Sequence, residues 1–176
     1  MLKRVSPLHI EKIPTNEELE QLLEDALTEP NNTEKGKKFE IFFENVMSKE
    51  KDFQFVDRHS RSRIGEVDYV YRHELTDPFW QRSPYICVEC KNRKNPTNSK
   101  HMNQFIKLVK DTFLCCYCVF ITASSYSKSA WDCIRDARIK ENILVIPIEG
   151  KHLKELIRVG FKDFARKLCE KTVFKK

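Results

Sequence analysis

The stretch YICVECKNRK, residues 85–94, decides how this chain is read. Its first half is the apolar run of a buried strand. Its second half carries Glu89 and Lys91, two residues apart, and on an extended chain such a pair shares a face. An acid and a base side by side at the end of a core strand do not serve packing. They point to a site built where the strand ends.

The next strand to consider lies upstream, in GEVDYVYRH, residues 65–73. One face carries Glu66, Asp68 and Val70, and the other carries Val67, Tyr69 and Tyr71. If the two strands are neighbours in a hairpin or meander, Asp68 comes near Glu89 and Lys91. Two converging carboxylates repel each other unless a cation sits between them. Oxygen ligands of this kind suit a hard ion such as Mg²⁺, or Mn²⁺ in its place. The backbone carbonyl of Cys90 is a further candidate ligand, with its thiol turned to the other face. A lysine beside such an ion can orient or deprotonate an attacking water, or neutralise charge that builds on phosphorus. Together these groups are what phosphodiester hydrolysis needs.

The segment EKGKKFEIFFENVMS, residues 34–48, has a helical stripe of Phe39, Phe42, Phe43, Val46 and Met47. On that wheel Glu40 lies at the edge of the buried face, Glu44 slightly further round and Glu34 further still. A carboxylate at the boundary can lean over the sheet toward the site, which singles out Glu40.

The remaining pattern sets the fold. TNEELEQLLEDAL (15–27) reads as a helix capped by Thr15 or Asn16, with acids in its first turn. DFQFVDR (52–58) reads as a strand, and the turn-rich ELTDPFWQRSP separates the two site strands. KHMNQFIKLVKDTF and SKSAWDCIRDARIKE read as helices. CCYCVFITA and NILVIPI are continuous apolar runs, as expected of strands buried on both faces. EGKHLKELI and FKDFARKLCEK close the chain as short helices. A meander followed by crossover helices predicts an α/β fold with a mixed central sheet and helices on both sides.

The chain has 176 residues, room for one domain with a sizeable core. No apolar run reaches the ~20 residues of a membrane-spanning helix. MLKRVSPLHIEKIP lacks the apolar core of a signal peptide, and the seven cysteines lack framework spacing. Both features lead us to expect a cytoplasmic protein. With four glycines there is neither G-x-x-x-x-G-K nor G-x-G-x-x-G, which excludes the usual NTP and dinucleotide cradles. The net charge of +6 is unevenly spread. Residues 91–110 carry Lys91, Arg93, Lys94, Lys100, Lys107 and Lys110, and RHSRSR adds Arg58, Arg61 and Arg63. Such a basic face is either solvated surface or the footprint of a polyanion. On the second reading Arg58, Arg61, Arg63, Arg93, Lys94 and Lys100 contact nucleic acid.

These residues and spacings resemble the PD-(D/E)XK nuclease superfamily. The matching pieces are Gly36 with Phe39 and Glu40, Asp68 in GEVD, and the E-x-K of Glu89, Cys90 and Lys91. Residues 119–157, VFITASSYSKSAWDCIRDARIKENILVIPIEGKHLKELI, are similar to the end of the Mrr-like restriction endonuclease branch. The string IxVECKNR also resembles archaeal Holliday junction resolvases. The resemblance covers about residues 34–157 and implies a restriction-endonuclease-like three-layer α/β/α fold. It implies Asp68 and Glu89 as metal ligands, Lys91 as catalytic lysine, Glu40 as accessory acid, and Gln104 on the following helix as a further active-site residue. No proline precedes Asp68, and the Mrr-like branch often has Gln where Glu89 stands. Residues 1–33 match nothing in the family, and we treat them as a helical extension before a domain of residues 34–176.

Other signals are weaker. The cysteines of CCYC (115–118) have no second Cys/His pair at zinc spacing and suit a core strand. The hydroxyls of TASSYS (122–127) either contact phosphate or cap the next helix, capping being the simpler reading, and no elbow motif marks Ser124 or Ser125 as a nucleophile. Phe79 and Trp80 either stack on an unpaired base or anchor their loop. The function expected is therefore a metal-dependent endonuclease acting on DNA, with RNA as an alternative substrate, in restriction, defence or repair. A junction-selective resolvase acting as a homodimer is one alternative. A non-cutting module that binds nucleic acid or a partner protein is the other, and the chain is expected to work as a homodimer or as a subunit of a larger complex.

Overall fold

A computed structural model describes residues 12–113 and 115–172. Residues 1–11, and with them most of the segment read for a signal peptide, lie outside the described residues. Five strands form one sheet in the order β1 (Phe53–Arg61), β2 (Glu66–His73), β3 (Tyr85–Lys91), β4 (Tyr117–Thr122), β5 (Leu144–Ile148). β1, β2 and β3 run antiparallel to their neighbours, and β3, β4 and β5 run parallel. The mixed sheet expected from the sequence is present. Parallel pairing needs long crossovers, and these are α3 (Ser99–Leu108) and α4 (Lys128–Glu141), which pack on each other. The other helices, α1 (Asn16–Thr28), α2 (Asn32–Ser48), α5 (Leu153–Val159) and α6 (Phe161–Thr172), form a second interconnected group. Two helical layers about one sheet give the restriction-endonuclease-like three-layer α/β/α arrangement.

Local chemistry accounts for the element ends. Thr15 caps α1 in a capping box with Glu18, which satisfies two backbone donors at once. Asn31 accepts from Thr33 and Glu34, so α2 starts at Asn32, two residues before the helical segment read from Glu34. Asn98 and Ser127 cap α3 and α4. α3 continues as a π-helical turn, Val109–Phe113, which the apolar periodicity did not signal.

α1 buries Leu19, Leu23 and Ala26, at i, i+4 and i+7, in the same core as the sheet. Each large apolar side chain so buried contributes about 1.5–3 kcal/mol. Asn92, just past β3, donates to the Ala26 carbonyl at 2.8 Å and to the Lys35 carbonyl at 3.2 Å. That one amide ties α1 and the first turns of α2 to the end of the strand that carries Glu89 and Lys91.

Trp80 is fully buried against Phe53, Phe79, Tyr117 and Phe161. Of the two readings of that loop, anchoring is the one the structure supports for Trp80. All seven cysteines are free, and five are buried. Among the described residues no helix is long and apolar enough to cross a membrane.

Candidate active site

The site forms where β2 and β3 part. Their ladder runs Arg72↔Tyr85, Tyr71↔Ile86, Val70↔Cys87 and Tyr69↔Val88, and stops there. Continued by one step, it would set Asp68 opposite Glu89. Instead the Asp68 side chain takes the place of a backbone acceptor, and Oδ2 receives the Cys90 N–H at 2.7 Å. The β2–β3 pairing ends with Asp68 and Glu89 side by side and the Cys90 N–H still satisfied.

Parallel pairing on the other side holds the second half of the motif. β3 pairs with β4 through Glu89↔Phe120, Cys90↔Ile121 and Lys91↔Thr122. The Ala123 N–H then donates to the Lys91 carbonyl at 3.0 Å. The loop that follows is fixed by Ser124, whose hydroxyl donates to the Asn95 carbonyl at 2.9 Å, and Ser127 caps α4. The Ser124 and Ser127 hydroxyls are thus taken up by the loop and by the α4 cap. Gly150 must lack a side chain because a Cβ there would lie 2.2 Å from the Ala123 carbonyl oxygen.

The electrostatics follow from burial. Asp68 is buried and Glu89 nearly so, and Lys91 pairs with Glu89 Oε1. Burial raises the Asp68 carboxyl above its ordinary range, with Lys91 and the Cys90 N–H opposing. Glu89 is pushed up to about 7 by burial and then by the Asp68 charge, with Lys91 opposing. Burial depresses the Lys91 ammonium, but Glu89 and Asp68 outweigh it and hold the group above its usual range. Glu40 is raised by burial and then by Asp68. Asp68, Glu89 and Glu40 therefore stand close enough to disfavour one another's charge.

Glu89 Oε2 is buried and has no hydrogen-bond partner. Such an oxygen is costly unless a cation or water meets it. Among the described residues no group of three or more His, Cys, Asp or Glu side chains makes a self-sufficient metal cage. Mg²⁺ does not need one, since it takes one or two carboxylates and keeps several waters. Asp68, Glu89 and the adjacent Cys90 carbonyl are a donor set of that kind, and the Cys90 thiol is buried away.

The two acids of α2 differ from the helical-wheel expectation. Glu44, placed further from the buried face than Glu40, is the more deeply buried of the two, 4% against 15% exposed. The Tyr69 hydroxyl donates to Glu44 Oε2 at 3.3 Å, and Arg58 Nη1 lies 3.7 Å from the same oxygen. Arg58 Nη2 is 3.5 Å from Glu40, and the guanidinium lies over the Tyr69 ring at 5.5 Å. Arg58 is thus enclosed between two acids of α2 and does not join the exposed basic face. Arg61, Arg63, Arg93, Lys94 and Lys100 are exposed, Arg61 pairing with Glu66. Arg93 also meets His101 Nε2 at 2.8 Å. Gln104 is exposed on α3, and among the described residues it makes no hydrogen bond to Asp68, Glu89 or Lys91.

Sequence reasoning missed His59. Its Nε2 lies 3.5 Å from Glu40 and its Nδ1 lies 3.0 Å from Glu66. Its backbone has a positive φ of 52° within β1, and no turn residue or glycine announces that conformation.

Residues 32–157 match the restriction endonuclease family Mrr_cat. Among solved structures, the DNA modification-dependent restriction endonuclease AspBHI aligns over 91% of this chain and 41% of its own, at 16% identity and TM-score 0.56. A repair endonuclease from Pyrococcus abyssi aligns over 69% of this chain and 48% of its own, at 18% identity and TM-score 0.40. A structure of an EndoMS–dsDNA2 complex aligns over 63% and 42%, at 14% identity and TM-score 0.39. The chain spans about two fifths of the length of AspBHI. No curated protein matches it. Because the family model matches residues 32–157, well over half of the chain, this chain belongs to the Mrr_cat restriction endonuclease family.

Proposed function

We propose that this chain is a Mg²⁺-dependent endonuclease that hydrolyses phosphodiester bonds in DNA. The observation that carries the reading is the convergence of Asp68, Glu89 and Lys91 where β2 and β3 part, with one buried Glu89 oxygen left without a partner. Mg²⁺, or Mn²⁺ in its place, held by Asp68, Glu89 and the Cys90 carbonyl, would neutralise the scissile phosphate and acidify water. Asp68 is preset for this role, because the Cys90 N–H fixes its carboxylate. Lys91 pairs with Glu89 in the free protein. Released from Glu89, its ammonium donates to a phosphate oxygen where negative charge builds in the transition state. Glu40, from α2, acts as accessory acid beside this centre. The exposed Arg61, Arg63, Arg93, Lys94 and Lys100 supply phosphate contacts that hold the duplex.

The test is nicking of supercoiled plasmid by the wild type and Asp68→Ala, with Mg²⁺, Mn²⁺ or EDTA, and with single-stranded RNA as a parallel substrate. Cleavage of plasmid by the wild type alone, abolished by EDTA, is the expected result. Cleavage that survives EDTA removes the metal from the mechanism. Cleavage of RNA alone replaces the substrate. Binding without cleavage under every condition leaves a nuclease-fold module that no longer cuts.

A further inference from the structure

Successive side chains of a β-strand point to opposite faces of the sheet, so two adjacent residues do not ordinarily reach one carboxylate. In β1, two do. Arg58 Nη2 and His59 Nε2 each lie 3.5 Å from Glu40 Oε2. The exception originates in the backbone. His59 has φ 52°, in the left-handed region that non-glycine residues rarely occupy. Among the described residues the other such non-glycine position is Asn142, which caps the end of α4, where that conformation is routine. His59 has no helix end to cap.

Its surroundings supply the reason. The β1–β2 register slips by one between Phe55 and Asp57, and the pairs Arg58↔Tyr69 and Ser60↔Val67 then bracket His59 and Asp68. His59 is therefore the cross-strand neighbour of Asp68. Its ring spans Glu40 on one side and Glu66 on the other, at 3.5 Å and 3.0 Å, and stays 45% exposed. Residues held in sparsely populated backbone regions cluster at functional sites, where the surrounding structure holds the strain.

Building on the nuclease reading, we propose that His59 is a positioning residue of the cleavage site: its left-handed backbone turns the imidazole to the same side as Arg58, and the two together fix the Glu40 carboxylate beside Asp68 and Glu89. Arg58 is already engaged by Glu44, at 3.7 Å, so it cannot follow Glu40 freely. His59 Nε2 is the second polar group within ion-pair range of Glu40 Oε2, a buried oxygen that no hydrogen bond holds. Fixing a carboxylate at two points removes the rotamers in which it swings away from the reacting phosphate.

Three variants test this. Glycine accepts φ 52° without strain and removes the imidazole. Asparagine tolerates the same backbone and keeps an amide to hold an acid. We measure the melting temperature of the metal-free protein, DNA affinity, and single-turnover cleavage at saturating DNA. His59→Gly is expected to melt at the wild-type temperature or above, to bind DNA unchanged, and to cut more slowly by up to about tenfold, the loss expected when Glu40 itself is neutralised. His59→Asn should recover part of that rate. In a Glu40→Gln background, His59→Gly should cause no further slowing, because both changes remove the same function. A His59→Gly protein that cuts at the wild-type rate overturns the proposal. So does a loss that adds in full to that of Glu40→Gln, or a fall in melting temperature that accounts for the lost rate. A wild type inert on every DNA overturns the nuclease reading itself, and the role of His59 with it. An active wild type with an equally active His59→Gly overturns His59 alone.

Discussion

The Cys90 N–H donates to Asp68 Oδ2 at 2.7 Å, in place of the backbone pair that would extend the β2–β3 ladder beyond Tyr69 and Val88. One side chain thus ends a sheet ladder and opens a site. Asp68→Asn keeps an acceptor for that N–H and should fold with near wild-type stability. Asp68→Ala leaves the buried donor unpaired and should lose about 1–3 kcal/mol. Both should lose at least ~10²-fold in cleavage, as expected for a missing ligand to a catalytic ion. Thermal melts beside plasmid-nicking rates separate the two effects. An active Asp68→Asn would remove Asp68 from the mechanism.

The carboxylates make stability pH-dependent in a stated direction. Unfolded, Glu89 ionises near its ordinary value of 4.5; folded, it holds its proton to about 7. Between those values the folded state binds a proton that the unfolded state lacks, so stability of the metal-free protein falls as pH rises through that window. Asp68 and Glu40 are shifted the same way and add to the slope. Glu89→Gln should flatten the curve, and Mg²⁺ should raise the melting temperature more at pH 8 than at pH 5.5, because it binds the ionised form. Scanning fluorimetry across pH with and without Mg²⁺ checks both. A Mg²⁺ effect independent of pH would take Glu89 out of the cation site.

The two acids of α2 should separate by phenotype. Glu40→Gln removes a charge that burial and Asp68 already disfavour, so the fold should survive while cleavage slows about tenfold, one 1.4 kcal/mol step in the barrier. Glu44→Ala strips the buried partner of Arg58 and the Tyr69 hydroxyl and should cost about 1–3 kcal/mol of stability. Denaturant titrations and single-turnover rates measured on both variants decide it. Equal losses of rate at equal stability would mean that both acids act on the substrate.

Salt dependence should sort the basic residues by exposure. Each phosphate contact contributes roughly −0.9 to the slope of log K against log salt on duplex DNA. Replacing Arg63, Lys94 and Lys100, all exposed, should make the slope shallower by roughly one unit for each residue that contacts a phosphate. Arg58→Met should leave it unchanged, since Arg58 is enclosed by Glu40 and Glu44. Fluorescence anisotropy with the non-cutting Asp68→Ala protein provides the measurement. A slope indifferent to all three exposed residues would place the DNA on another face.

Much of this architecture is legible in the chain itself. The continuous apolar runs of β4 and β5 announce strands covered on both faces, and the caps Thr15, Asn98 and Ser127 announce helix starts. The E-x-K spacing needs only the two-residue period of a strand to bring Glu89 and Lys91 together. Asp68 follows from the same period on the adjacent strand, once a meander is assumed.

Tertiary structure decided the rest. A helical wheel ranks Glu40 above Glu44 because it knows one helix; the buried Arg58 and Tyr69 that draw Glu44 inward come from β1 and β2. Asn92 reads as a loop residue until its amide is seen holding both α1 and α2. His59 lies beyond any pattern rule, since the slipped β1 register and the positive φ put it opposite Asp68. Periodicity records which side chains a single element can bury, and so the sequence by itself determined the strands, the helices and the Asp68, Glu89, Lys91 centre. Which charges meet between elements depends on register, bulges and backbone strain, and these are settled only when the whole sheet packs.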